Sequence, residues 1–160
     1  MPAARTELKT RLAYLLGTWF GCGRVPYAPG TAGTLGAIPV YLVLRPMGPL
    51  AVAAAALLLT AVGVWAASII AEHSKLEDPQ FVVIDEVAGV LVTLVAAPAT
   101  WPGLALGVLL FRLFDMTKPW PARLAERRLP GGWGIVMDDI AAGAWGAAIL
   151  IALRLGRVLG

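Results

Sequence analysis

Asp85-Glu86, Asp115 and Asp138-Asp139 are the residues of this chain whose types and settings point to chemistry. They follow the apolar stretches Val82-Val83-Ile84, Phe111-Arg112-Leu113-Phe114 and Ile135-Val136-Met137. These three blocks hold five of the ten acidic residues in a chain that is 59% hydrophobic and only 14% charged. Carboxylates beside apolar segments are costly to desolvate unless positive charge meets them. A divalent cation is the simplest such partner, because hard cations take oxygen ligands. The pattern predicts a metal-dependent enzyme working at a membrane.

The totals narrow the class. At 160 residues the chain is read as one domain, 1–160. A mean hydropathy of +0.77 and six Trp point to a membrane protein. The net charge of +3 comes without a long Lys/Arg run, so nucleic acid is a poor partner and anionic lipid headgroups a better one. With Cys22 and His73 alone of their kinds, disulfides, thiolate clusters, multi-histidine metal sites and His-pair phosphatase chemistry are excluded. The Cys-x5-Arg phosphatase loop would need Arg where Ala28 stands.

The elements that must carry these residues are helical. Leu8–Phe20 reads as an amphipathic first helix rather than a signal peptide, since no small-residue cleavage site follows. Gly21–Thr34 reads as a Gly/Pro-rich loop and Leu35–Leu44 as a short apolar segment. Leu50–Ala71 is the one segment long enough to cross a bilayer alone, which takes about 20 residues. Val87–Ala97, Leu104–Phe114 and Ile140–Leu155 are further apolar helices, Pro119–Leu129 a surface helix, and Pro130–Gly134 a flexible loop. The expected fold is all-α: a multihelical membrane-embedded bundle of about four to five apolar helices plus the N-terminal amphipathic one.

Connectivity then brings the acids together. If Leu50–Ala71 ends on one side, the chain alternates so that all three acidic blocks and the Gly30–Thr34 loop meet there. That side carries Arg5, Lys9, Arg11, Arg24, Lys75, Arg112, Lys118, Arg123, Arg127 and Arg128, against Arg45, Arg154 and Arg157 on the other. The positive-inside rule makes it cytoplasmic.

Adjacent residues on a helix point about 100° apart. One member of each acidic pair can therefore face a shared ion while the other holds a lysine, caps the helix or binds a second ion. Both pairs are expected at helix N-termini, where capping alone is the plain alternative. Arg112, Lys118 and Arg123 flank Asp115 and suit a phosphate, with snorkelling to the headgroup layer the plain alternative, above all for Arg123 on the surface helix. Thr31, Gly33 and Thr34 precede a helix, where backbone can approach an anion closely. The rival readings are an ion-binding or transport membrane protein using the same carboxylates, and a structural membrane protein whose acids only cap helices.

Four stretches taken together resemble the phosphatidylglycerophosphatase A family: Ala28-Pro29-Gly30-Thr31-Ala32-Gly33-Thr34, Val83-Ile84-Asp85-Glu86-Val87-Ala88-Gly89, Phe111 to Pro121, and Gly131 to Gly143. Their order and spacing cover roughly residues 10–155. The resemblance implies a multihelical, Mg2+-dependent enzyme of the bacterial inner membrane. It would hydrolyse phosphatidylglycerophosphate to phosphatidylglycerol and phosphate on the cytoplasmic face, in phosphatidylglycerol and cardiolipin biosynthesis. The residues fit this chemistry with Asp85, Asp115 and Asp138 or Asp139 as metal ligands and Glu86 as ligand or base. Thr31, Gly33, Thr34, Arg112 and Lys118 would hold the phosphate. Expected partners are the anionic lipid substrate and membrane lipids, with the oligomeric state left open. Thr117 stands where an Asp-x-Asp nucleophile motif would carry its second Asp, so attack by water is preferred to an aspartyl-phosphate.

Overall fold

A computed structural model describes the backbone of residues 2–156 and the side chains of 6–125 and 127–156. The expected charge positions Arg5 (its side chain) and Arg157 lie outside the described residues. The described part is all-helical: α1 (Pro2–Gly17), α2 (Pro29–Gly36), α3 (Ile38–Leu44), α4 (Pro49–Ser74), α5 (Ile84–Val95), α6 (Trp101–Thr117), α7 (Ala122–Arg128) and α8 (Gly132–Leu155). Single 3-10 turns occupy Cys22–Arg24 and Arg45–Met47.

α5 is the axis of the bundle. It packs mainly against α8 and α4, with α6 and α2 closing the remaining sides. Enclosure on all sides explains its nearly continuous apolar sequence: Ile84, Val87, Val90 and Leu91 are fully buried. At twelve residues it rises about 18 Å, too short to cross a bilayer. α4, with 26 residues, and α8, with 24, are long and apolar enough to cross. The expectation of a single spanning segment is corrected here: Ile140–Leu155 is extended at its N-terminus by eight residues, which makes α8 a second one. Outward-facing Leu57, Leu58, Leu109 and Ile151 are half or more exposed, as suits a lipid-facing surface.

Two stretches read as loops are helices. Pro29 opens α2 after Ala28, whose φ of 52° turns the chain into it. Pro at the first helical position loses no hydrogen bond. Gly131, at φ 55°, likewise turns the chain into α8. The glycines that argued against helix are there for proximity. A Cβ on Gly33 would lie 2.7 Å from Val83 Cβ, and one on Gly132 would strike the Val64 carbonyl of α4. α1 in turn ends at Gly17, ahead of the expected Phe20, because Trp19 and Phe20 take positive φ (46° and 55°).

The same device sets the α5–α8 seam. A Cβ on Gly143 would run into the Gly89 carbonyl, and one on Gly89 would lie 2.7 Å from the Asp139 carbonyl oxygen. Thr93 Oγ1 donates to the Gly143 carbonyl at 3.0 Å across this seam. Asp85 and Glu86 sit one turn before Gly89, and Asp139 sits one turn before Gly143. The tightest approach of the two helices therefore lies next to their carboxylates.

Candidate active site

The five expected carboxylates gather at one end of the bundle, but in two roles. Asp85 and Glu86 lie in the first turn of α5. Asp139 comes from α8 and packs beside them: one carboxylate oxygen from each of the three lies within 4.8 Å of the others. Asp85 and Asp139 are buried, 7% and 4% exposed, and Glu86 is partly so. Asp85 and Glu86 sit outside the two long apolar helices. Burial pushes both of their carboxyls up from the usual range, Asp85 the further, with Glu86 and Asp139 adding like charge to it. Glu86 Oε2 is buried without a hydrogen-bond partner.

Asp115 and Asp138 instead hold cations. Arg112 Nη1 donates to Asp115 Oδ2 at 2.5 Å, one turn apart on α6. Lys118 Nζ donates to Asp138 Oδ2 at 2.7 Å. Lys118 ends α6 in the left-handed region, φ 43°, which is uncommon for a residue with a Cβ; it turns the chain back toward α8. Phe111, fully buried against Gly89, anchors the turn of α6 that delivers Asp115.

Asp85, Glu86, Arg112, Asp115, Lys118 and Asp138 line a common cavity of about 980 Å³, with Ala28, Pro29 and Gly30 on its wall and Asp139 buried just behind it. Gly30 is where the α2 loop comes closest: a Cβ there would collide with the Glu86 carboxylate and lie 3.3 Å from Arg112 Nη1.

Thr31, Gly33 and Thr34 are not on that wall, contrary to the expectation for them. Thr31 is exposed, Gly33 packs on Val83, and buried Thr34 donates its hydroxyl to the Gly30 carbonyl at 2.9 Å. In a helix, rather than a loop, these positions turn away from the cavity. Asp138 and Asp139 are also not at a helix N-terminus: they stand in the second turn of α8, so capping does not account for them. His73, expected in a polar loop, closes α4, where its Nδ1 and the Tyr14 hydroxyl are 3.1 Å apart. Reasoning from sequence missed Ala28, Pro29 and Gly30 as wall residues, along with Glu77, Asp78, Gln80 and Arg127. For Gly30 the signal was present, a glycine between two residues of a Pro/Thr run; for the others none was.

Three clustered acids that form no salt bridge among the described residues, one with an orphaned buried oxygen, fit a metal ion. Two cations held rigidly by carboxylates beside them fit an anion on the cavity side.

Residues 15–154 match the family model described as phosphatidylglycerophosphatase A. The chain is 36% identical over 156 residues to the phosphatidylglycerophosphatase A of Escherichia coli strain K12, covering 94% of this chain and 91% of that one. It is 31% identical over 143 residues to the Haemophilus influenzae protein of the same name, covering 88% of each. It is 41% identical over 150 residues to a Bacteroides thetaiotaomicron protein named "Putative phosphatidylinositol-3-phosphatase", covering 89% of this chain and 92% of that one. No solved structure matches.

Proposed function

The chain belongs to the phosphatidylglycerophosphatase A family, and from that premise we propose that it hydrolyses the terminal phosphomonoester of phosphatidylglycerophosphate. The products are phosphatidylglycerol and inorganic phosphate, in bacterial phospholipid biosynthesis. The observation that carries the reading is the juxtaposition of a clustered carboxylate trio with two carboxylate-held cations at one cavity. A phosphomonoester brought by a metal ion needs both.

Asp85, Glu86 and Asp139 would hold the ion, and Mg2+ suits an all-oxygen donor set of this kind. When bound, the ion supplies charge neutralisation at the phosphate oxygens. Arg112 and Lys118 take the phosphate oxygens that face the cavity, and their partners Asp115 and Asp138 fix their orientation. Outside the trio, Asp115 and Asp138 are the wall carboxylates paired with these two cations, and either could accept a proton from the attacking water. The water oxygen forms the new bond to phosphorus, the bond from phosphorus to the glycerol oxygen breaks, and the proton passes to that oxygen. The cavity opens at the end of the bundle that bears most of the basic residues, which supports a cytoplasmic face and a bacterial inner-membrane location. Anionic phospholipid is the substrate and the surrounding partner.

The Bacteroides relative's name supports one second arm in the test, phosphatidylinositol 3-phosphate. Phosphate release by the purified protein in detergent is measured on both lipids, with Mg2+ and with EDTA. Mg2+-dependent release from phosphatidylglycerophosphate is expected. Faster release from the inositol lipid would move the substrate assignment, and no release from either with any divalent cation would sink the hydrolase reading.

A further inference from the structure

Beside the catalytic cavity lies a smaller groove of about 370 Å³, bounded by Lys118, Trp120, Arg123, Leu124 and Arg127. Lys118 and Arg127 also line the cavity, so the two spaces share a wall. Arg123 and Arg127 are four residues apart on α7, a spacing that stacks both on one helix face. Arg128, about 100° further round, lines neither space. Neither groove arginine has an acidic partner among the described residues. Trp120 is 73% exposed, and its carbonyl accepts from Trp145 Nε1 of α8 at 2.9 Å, which ties this loop to a spanning helix. An exposed Trp beside arginines is the composition of a membrane interface.

This inference rests on the lipid phosphatase reading and deepens it. In such a substrate the phosphomonoester and the phosphodiester are separated by one headgroup polyol. With the monoester at Arg112 and Lys118, the diester has to lie at the cavity rim, on the way to the acyl chains. We infer that the α7 groove is the phosphodiester subsite: Arg123 and Arg127 hold the diester oxygens, and Leu124 and Trp120 flank the diacylglycerol side. Guanidinium groups match a diester's paired oxygens, and the apolar remainder of the groove matches the acylated glycerol beyond them. The subsite makes a membrane lipid, rather than a soluble phosphate ester, the fitting substrate. It applies equally to a glycerol or an inositol headgroup.

The test uses the full-length protein in neutral mixed micelles with Arg123→Gln, Arg127→Gln and, as a charge-matched control off the groove, Arg128→Gln. KM and kcat are measured on whichever phospholipid is hydrolysed. Inhibition is measured with phosphatidylglycerol, which keeps the diester, and with inorganic phosphate, which represents the monoester. Each groove variant is expected to raise KM and the phosphatidylglycerol inhibition constant about tenfold, about 1.4 kcal/mol. In Arg123→Gln, which lies off the cavity wall, the kcat and the phosphate inhibition constant stay within about twofold, and Arg128→Gln changes nothing. An equal rise of KM in Arg128→Gln would mean diffuse surface charge and overturn the subsite. So would an unmoved KM in both groove variants, or a phosphate inhibition constant that in Arg123→Gln rises in step with that for phosphatidylglycerol. An active wild type with unmoved variants sinks this inference alone; a wild type that releases no phosphate from either lipid sinks the phosphatase reading and this one with it.

Discussion

Asp138 and Asp139 are chain neighbours with opposite surroundings: Asp138 Oδ2 accepts from Lys118 Nζ, while Asp139 faces Asp85 and Glu86. This difference predicts different phenotypes. Asp139→Asn and Asp85→Asn remove charge from the trio. Phosphate release is expected to fall at least about a hundredfold, since losing even the outer partners of a metal site costs about 10–100-fold. Asp138→Asn leaves the trio intact and weakens the ion pair with Lys118, so its loss should appear with Mg2+ affinity unchanged, read by titrating Mg2+ into each variant. The trio also sets a pH dependence in the metal-free protein. Asp85 and Glu86 have folded-state carboxyls pushed above their unfolded values by burial. Their protonated forms are therefore favoured by folding, and stability falls as pH rises from the unfolded carboxyl range through the raised folded values. Thermal unfolding in EDTA should show a midpoint that drops with rising pH across that window. Mg2+ competes with protons for the same oxygens, so the midpoint gain on adding it should grow with pH. A gain independent of pH would count against the trio as the ion's site.

At the scale of elements, the α5–α8 seam is the part to perturb. Gly→Ala inside a helix ordinarily stabilises by about 1 kcal/mol. At Gly143 the added methyl meets the Gly89 carbonyl of α5, so the sign reverses: overpacking costs about 1–3 kcal/mol. Because Asp139 and Asp85 lie one turn from this contact, Gly143→Ala should lose activity well beyond its loss of stability. Comparing the thermal midpoint with kcat separates the two, and equal, small losses would refute the seam as the spacer of the carboxylates. Thr93→Val removes the hydrogen bond across the seam but keeps its shape, and about 1 kcal/mol is expected, with most activity retained.

For the whole molecule, the two ends of the bundle differ in kind. At the end away from the cavity, Arg45 stacks over the Trp101 ring at 5.7 Å, and Arg154 Nη1 donates to the Ala96 carbonyl at 3.4 Å. At the other end stand the cavity, Lys118, Trp120 and the arginines of α7. Two Trp-bearing ends joined by α6, about 25 Å long, suit the two faces of a membrane. In a Cys22→Ala background, Gln80→Cys at the cavity rim should react with a membrane-impermeant maleimide only after cells are permeabilised. Met47→Cys, 70% exposed at the far end, should react in intact cells. The reverse pattern would overturn the proposed cytoplasmic placement of the cavity.

What the sequence determined by itself was the gathering of the acids and the end of the bundle where it happens. Acids beside apolar runs need a counter-charge wherever the chain folds, and alternating apolar segments can deliver Asp85, Asp115 and Asp138-Asp139 only to a common side. The order of the four motifs along the chain carried the family. Tertiary structure alone decided which member of each block joins the acidic cluster and which pairs with a cation. That choice depends on helix phase, and a residue's direction is set by which face of α8 or α5 finds a packing partner. It also decided that Gly30–Thr34 and Gly132–Gly134 are helical: local propensity disfavours both, but Gly30, Gly33 and Gly132 let a helix lie against a backbone or side chain that a Cβ would push away. For the same reason Thr31, Gly33 and Thr34 left the cavity and Gly30 stayed on its wall. The groove on α7 belongs to this second class, since the meaning of Arg123 and Arg127 comes from the groove they line with Lys118, beside the cavity.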